Sequence, residues 1–145
     1  MSDKVRPSAE NNENLNAALY YASLGWLVLP FHSVIDGRCS CGNQHCVSPG
    51  KHPRVTSGFH GASKDPDQIN WWWSKWPSAN VGIRTGVESG LSVIDVDPRH
   101  GGNVSLETFE EYIPDTVMQL TGGGGFHYLF KHPGGNTRVK CRTNV

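Results

Sequence analysis

The chain has 145 residues, of which 37% are hydrophobic and 18% charged, with 17 glycines and 9 prolines. That length is enough for one domain with a buried core. The polar start and the lack of a long apolar run argue against an export signal or a membrane span, so a cytoplasmic chain is the default expectation. Thirteen basic and thirteen acidic side chains cancel to zero net charge, so no overall basic field points to nucleic acid.

Residues 1–12 are polar and expected to be disordered. Leu15, Ala18, Leu19 and Ala22 recur at helical spacing, which predicts a first helix stopped by Gly25. "WLVLPF" predicts a short buried strand, with Pro30 at its end or on an edge. Residues 36–64 are rich in Gly, Cys, His and Pro and predict an irregular inserted loop. A second helix is expected from "DPDQINWWWSKW", with Asp65 as its cap, Pro66 in its first turn and Gln68 completing a capping box. Ile69, Trp72, Trp73 and Trp76 fall on one face of it and read as core. Trp71 lies off that face and is the one tryptophan of the cluster placed to stack on a base. "NVGIRTG" and "GLSVIDVD" predict two strands, and a helix follows over about 103–112. "TVMQLT" and "FHYLF", joined across four glycines, predict a β-hairpin with an enlarged turn. This alternation gives an α/β or α+β class around a mixed sheet.

Charge is segregated along the chain. Between Gly37 and Lys64 lie Arg38, Lys51, Arg54 and Lys64 without an acid. Glu88 to Asp115 holds seven acids against Arg99 alone, and Thr116 onward holds Lys131, Arg138, Lys140 and Arg142 without an acid. Such a layout suits a site that binds phosphates and metal ions together, and it equally suits three solvated surfaces.

Two places carry metal chemistry. "CSCGNQHCVSPGKH" gathers Cys39, Cys41, Cys46 and His52 on a loop that lacks a core of its own, and this set satisfies the tetrahedral demand of a structural zinc ion. His45 is the alternative fourth ligand, although its adjacency to Cys46 makes shared coordination awkward. Cys141 is remote from the set. "DVDPRHGG" ends a buried strand with two carboxylates. Residues two apart on a strand share a face, about 6.5 Å apart along the chain, so Asp95 and Asp97 can hold a divalent cation through oxygen ligands. His127 enters the next strand pair just after the glycine turn. It lies on the face opposite Phe126, Tyr128 and Phe130, which suits contact with phosphate. The glycine run, including Gly124 and Gly125, offers backbone N–H groups to an anion but lacks the Lys-Ser/Thr of a P-loop.

Taken in order, "GWLVLPFHS", "CSCGNQHC…GKHPR", "WWWSKWPSANVGIRTG", "SGLSVIDVDPRHGG" and "TGGGGFHYLF" resemble the bifunctional DNA primase/polymerase N-terminal (prim-pol) domain of the archaeo-eukaryotic primase superfamily. The resemblance runs over about residues 14–145, making 13–145 one domain with the zinc loop 36–64 inserted. It implies a primase-like α/β fold with an RRM-like catalytic sheet. It also implies template-directed synthesis from dNTPs or NTPs on a DNA template and primer in replication, with Mg²⁺ or Mn²⁺, often with a helicase domain in the same polypeptide. Asp95 and Asp97 would then be the catalytic metal ligands and His127 the triphosphate contact. Read from the residues alone, Arg84 on "GIRTG" can add a charge-assisted contact to the nucleotide, and it equally suits a surface strand position. The third acid of such sites follows a segment that this sequence does not reach. An N-terminal fragment is therefore expected, or else Asp115 or Glu88 serves instead. The competing readings are a zinc-stabilised nucleic-acid-binding module without catalysis and a metal-dependent phosphoesterase built on the same two aspartates.

Overall fold

The computed structural model describes residues 12–141, so the segment 1–11, where disorder is expected, lies outside the described residues. Asn12 is ordered as the N-cap of helix α1 (Glu13–Ser23), its side chain accepting the Leu15 N–H at 3.1 Å. Gly25 follows the helix with φ +87°, a left-handed conformation that glycine adopts without strain, so the expected stop falls in place.

The chain folds as two compact units divided between Arg84 and Thr85. In the first, strand β1 (Leu27–Phe31) pairs antiparallel with β4 (Asn80–Arg84). Along β1 the backbone groups alternate in direction. The N–H groups of Val28 and His32 go to Ser63 and His52, not to β4. Pro30 shares their parity, so its missing N–H falls on that loop side and costs the β1–β4 ladder nothing. Pro30 is buried despite its edge position, with its carbonyl accepting the Arg54 N–H at 2.9 Å. The segment 36–64 is not wholly irregular. Strands β2 (Val34–Ile35) and β3 (Arg38–Cys39) form a two-stranded hairpin at its start, and Gly58–Gly61 make a short 3₁₀ turn.

Helix α2 (Pro66–Lys75) starts at Asp65, whose side chain accepts the Asp67 N–H. The capping box does not form, because the Asp65 N–H is already taken by the nearby Ser63 hydroxyl at 3.0 Å. Ile69, Trp72 and Trp73 are buried against Ala18, Ala22, Val28 and Ala79, and Trp76 packs at the margin. Trp73 also gives its indole N–H to the Ala79 carbonyl at 3.2 Å, so its one polar atom is satisfied in the core. Trp71 stays 52% exposed.

The second unit is built on strands β5 (Leu91–Val96), β6 (Val117–Leu120) and β7 (Phe126–Lys131), in the order β5-β7-β6. β6 and β7 form the expected hairpin, and β5 pairs with the other edge of β7. A 3₁₀ turn (Pro98–His100) leads into helix α3 (Gly102–Phe109), and a second such turn (Glu110–Tyr112) ends it. Leu106 and Glu110 line a cleft with Met118 and Tyr128, so α3 and its extension lie over that face of the sheet. The class is α+β, one of the two that the alternation of elements allows. The strands divide into three small sheets rather than one mixed sheet. Every pairing among the described residues is antiparallel, since no connection here carries one strand back parallel beside its neighbour. Among the described residues no helix is long and apolar enough to cross a membrane.

Candidate active site and metal-binding loop

Asp95 and His127 are direct partners across β5 and β7. The His132 N–H bonds the Gly90 carbonyl at 2.8 Å. Counting alternately from that bond, the Asp95–His127 pair falls at a non-hydrogen-bonded position, where opposed side chains stand closest. The His127 Nε2 lies 3.5 Å from the Asp95 Oδ1. On the far side of β7, Gln119 faces His127. Asp95, His127 and Gln119 thus make a polar row across three strands, on the face that α3 leaves open. The Asp95 side chain is 64% exposed and that of His127 39%, so a ligand can reach both.

Asp97 continues the extended backbone (φ −104°, ψ 107°), which returns its side chain to the Asp95 side. There it caps the turn that follows. Its Oδ1 accepts the Arg99 backbone N–H and Nε at 3.0 Å each, and its Oδ2 accepts Arg99 Nη2 at 2.8 Å and faces His100 Nδ1 at 3.1 Å. A carboxylate offers about four lone-pair sites, and all of them are subscribed. The Arg99 side chain, before any other cause, holds the Asp97 carboxyl well below the usual carboxylate range. In turn the Arg99 guanidinium is raised, chiefly by Asp97 and to a lesser extent by Asp95.

Two glycines bring backbone segments against the end of β5. A Cβ on Gly125 would stand 2.0 Å from the Val96 carbonyl oxygen, and one on Gly102 would stand 2.6 Å from the Asp97 nitrogen. Only a residue without a side chain permits either approach. The Arg99 guanidinium lies over Gly123, whose Cβ position is 3.2 Å from Arg99 Cζ. In the turn itself, the Gly124 N–H bonds the Thr121 carbonyl at 3.1 Å and the Gly125 N–H bonds the Thr121 hydroxyl at 3.0 Å. These two amides are therefore engaged in shaping the turn. Arg84 stands at the end of β4, opposite Leu27, within the first unit.

Cys39, Cys41, Cys46 and His52 converge so that one donor atom from each lies within 4.8 Å of all the others. Zinc–sulfur bonds of about 2.3 Å and zinc–nitrogen bonds of about 2.0 Å in a tetrahedron set donor atoms roughly 3.5–3.8 Å apart. The Cys39 and Cys46 sulfurs stand 3.4 and 3.5 Å from His52 Nε2, so the donor set fits a zinc ion. His45 is excluded from the cluster. It is exposed, and its backbone N–H is turned to the Asn43 side chain. Burial alone would raise the Cys39 thiol, but the Gly50 and Cys41 backbone N–H groups and the His52 ring outweigh it and bring the thiol down to about 6. Cys46 is pushed up, first by burial and then by the neighbouring cysteines. Behind the ligands, the His52 ring lies 4.4 Å from that of His32, and Ser40 Oγ joins His32 Nδ1, the Ser33 N–H and Arg54 Nη2. Burial first, then Arg54 and His52, lower the His32 pKa, so its ring is held neutral beside the loop.

The structure brings Asp95 beside His127 and gathers Cys39, Cys41, Cys46 and His52 as the sequence spacing anticipates, and it sets beside Asp97 and His127 two residues that the spacing does not single out, Arg99 and Gln119. For Arg99 a signal was present: it is the single cation among seven acids, two residues from Asp97. Gln119 carried none, because its place opposite His127 depends on the register of the hairpin.

One chain thus carries an open antiparallel sheet with an aspartate pair at one strand end and a loop that gathers three cysteines and a histidine. The family model described as "Bifunctional DNA primase/polymerase, N-terminal" matches residues 18–145, across both units. The chain belongs to the Prim-Pol family. Comparison with curated proteins and with solved structures returns no match.

Proposed function

We propose that this domain carries out template-directed nucleotidyl transfer, adding nucleotides from dNTPs or NTPs to a primer 3′-hydroxyl on a DNA template. Asp95 and Asp97 would be its metal ligands and His127 its triphosphate contact. The observation that carries this reading is the 3.5 Å approach of His127 to Asp95 across adjacent strands, on a solvent-open face and two residues before Asp97. Membership of the Prim-Pol family supplies the substrate class, DNA and nucleotides.

The donors suit Mg²⁺ or Mn²⁺, which take oxygen ligands. Asp95 is accessible as it stands, whereas Asp97 accepts a cation only in exchange for the Arg99 guanidinium. When bound, a divalent ion at the pair would supply charge neutralisation and would activate the attacking hydroxyl. The chain's own residues do the rest. Asp95 and Asp97 hold two negative charges on one face, and His127 donates toward the β- and γ-phosphates from the neighbouring strand. Arg99, released from Asp97, stays at the glycine turn with a charge to offer the triphosphate. The amides of Gly124 and Gly125 act through turn shape, keeping His127 in register. Cys39, Cys41, Cys46 and His52 would hold a structural zinc ion, which would staple a segment without a core of its own. A linked helicase and a role in replication extend the same reading to the whole polypeptide.

Primer extension on a primed template with Mn²⁺ and labelled dNTPs tests this proposal. Extension that is lost in Asp95→Ala and in His127→Ala supports it. Nucleic-acid binding without extension under any condition supports the noncatalytic module, and release of phosphate without extension supports the phosphoesterase.

A further inference from the structure

The first unit carries an aromatic and basic strip that the site above does not use. Trp71 is 52% exposed although it sits in the middle of a helix whose other central tryptophans are buried. Its ring centroid lies 6.3 Å from that of Trp76 at an interplanar angle of 73°. The Lys75 ammonium stands over both rings, 5.0 Å from Trp71 and 4.9 Å from Trp76. Arg54 Cζ also lies over the Trp76 ring, 5.6 Å from its centroid. The four side chains therefore form one continuous run, Trp71, Lys75, Trp76, Arg54, in which cations and π-faces alternate.

We infer that this run is a docking surface for single-stranded nucleic acid, with an unpaired base stacked on Trp71 and the adjoining phosphates held by Lys75 and Arg54. The inference rests on the proposed function only for the class of partner. Three observations argue for a polyanion with flat bases rather than an apolar protein partner. Each ring is already flanked by a cation, which an apolar groove would exclude but a sugar–phosphate backbone requires. The segment 37–64, from which Arg54 comes, holds four cations and no acid. Arg54 is half-buried and fixed rather than loose, since its Nη2 bonds Ser40 Oγ at 2.7 Å, so it closes that end of the strip with a charge held in one place. Asp67 lies one helical turn before Trp71 and repels phosphate there, which ends the strip and gives the strand a direction away from the start of α2.

The test is fluorescence anisotropy with a labelled 20-nucleotide oligo(dT) and, in parallel, a duplex of the same length, at low salt. One stacked base lost corresponds to a roughly 5- to 150-fold weaker affinity, so Trp71→Ala is expected to weaken oligo(dT) binding within that range. Trp71→Phe should retain most of the affinity, and Lys75→Gln should lower the salt dependence of binding. Duplex binding should not respond to Trp71→Ala. Because Trp71 is exposed, these variants keep the core intact, and an unchanged melting curve verifies it. Unchanged oligo(dT) affinity in both Trp71→Ala and Lys75→Gln overturns the inference, as does an equal loss for single strand and duplex. A contrasting pair of results separates this from the catalytic reading. If Trp71→Ala weakens binding while no form extends a primer, the surface stands and the polymerase falls. If extension depends on Asp95 while Trp71→Ala and Lys75→Gln both bind oligo(dT) normally, the reverse holds.

Discussion

Gly125→Ala should damage the candidate active site without altering any polar group in it. The added Cβ would lie 2.0 Å from the Val96 carbonyl oxygen and 2.9 Å from Pro98 Cδ. Carbon and oxygen are comfortable no closer than about 3.3 Å, so the turn must retreat by about 1.3 Å. Neither neighbour yields easily, since one is backbone within the β5–β7 ladder and the other is a proline ring. Insertion into a packed site of this kind costs about 1–3 kcal/mol, so the second unit should lose that much stability. The displaced turn leads directly into Phe126 and His127, the residues paired with Val96 and Asp95. A shift of about 1 Å in a reacting group costs on the order of a hundredfold in rate, so extension should fall by about that factor if the proposed function holds. Urea denaturation followed by circular dichroism measures the first effect, and single-turnover primer extension the second. Gly124→Ala is the comparison, because its Cβ meets nothing within 4 Å and the strain there comes only from φ +79°. If Gly125→Ala shows an unchanged denaturation midpoint, the close approach of the glycine turn to β5 is not a feature of the folded protein, and the reasoning fails.

The loop should hold about one zinc per chain in protein purified without chelator, and Cys46→Ser or His52→Ala should lower that content. Metal analysis of the three proteins checks it, together with release of zinc as acid protonates the ligands. In metal-free protein the Asp97 carboxyl should titrate well below the ordinary aspartate range, and Arg99→Ala should move it upward, which carbon-detected NMR reads directly. The sign follows from a folded-state pKa that is depressed: the Asp97–Arg99 pair contributes stability above the unfolded value of about 3.9 and loses it as pH falls toward the folded value. Arg99→Ala should also tighten Mn²⁺ binding in the absence of nucleotide, since the competing cation is gone, and calorimetry would show this. Trp73→Ala should cost about 3–5 kcal/mol, because the side chain is 2% exposed at the centre of the first core and its indole N–H bonds Ala79. Trp71→Ala should cost far less, and equal losses for the two would mean that α2 packs on a different face.

What the sequence determined by itself was which side chains share a face through short-range spacing. The 3.6-residue period assigned Ile69, Trp72 and Trp73 to the core and left Trp71 outside. Period two set Asp95 and Asp97 on one side of their strand, and the composition of the loop singled out the four side chains that converge there. The ordered motifs also carried the family resemblance, because a series of local patterns needs no knowledge of the fold between them. Tertiary structure decided the rest. That Asp95 meets His127 depends on β5 pairing with the far edge of β7, a register set over about thirty residues of intervening chain. The loss of the capping box followed from Ser63 being held beside Asp65 by its bridge to β1. The state of Asp97 belongs to the same category. Two carboxylates spaced for a cation read alike whether both are open or one is closed, and only the folded turn shows that Arg99 already occupies Asp97 while Asp95 stands open. Local spacing tells which side chains share a face, but which partners reach them is settled by strand pairing and by the paths of the turns, and these are global properties of the chain.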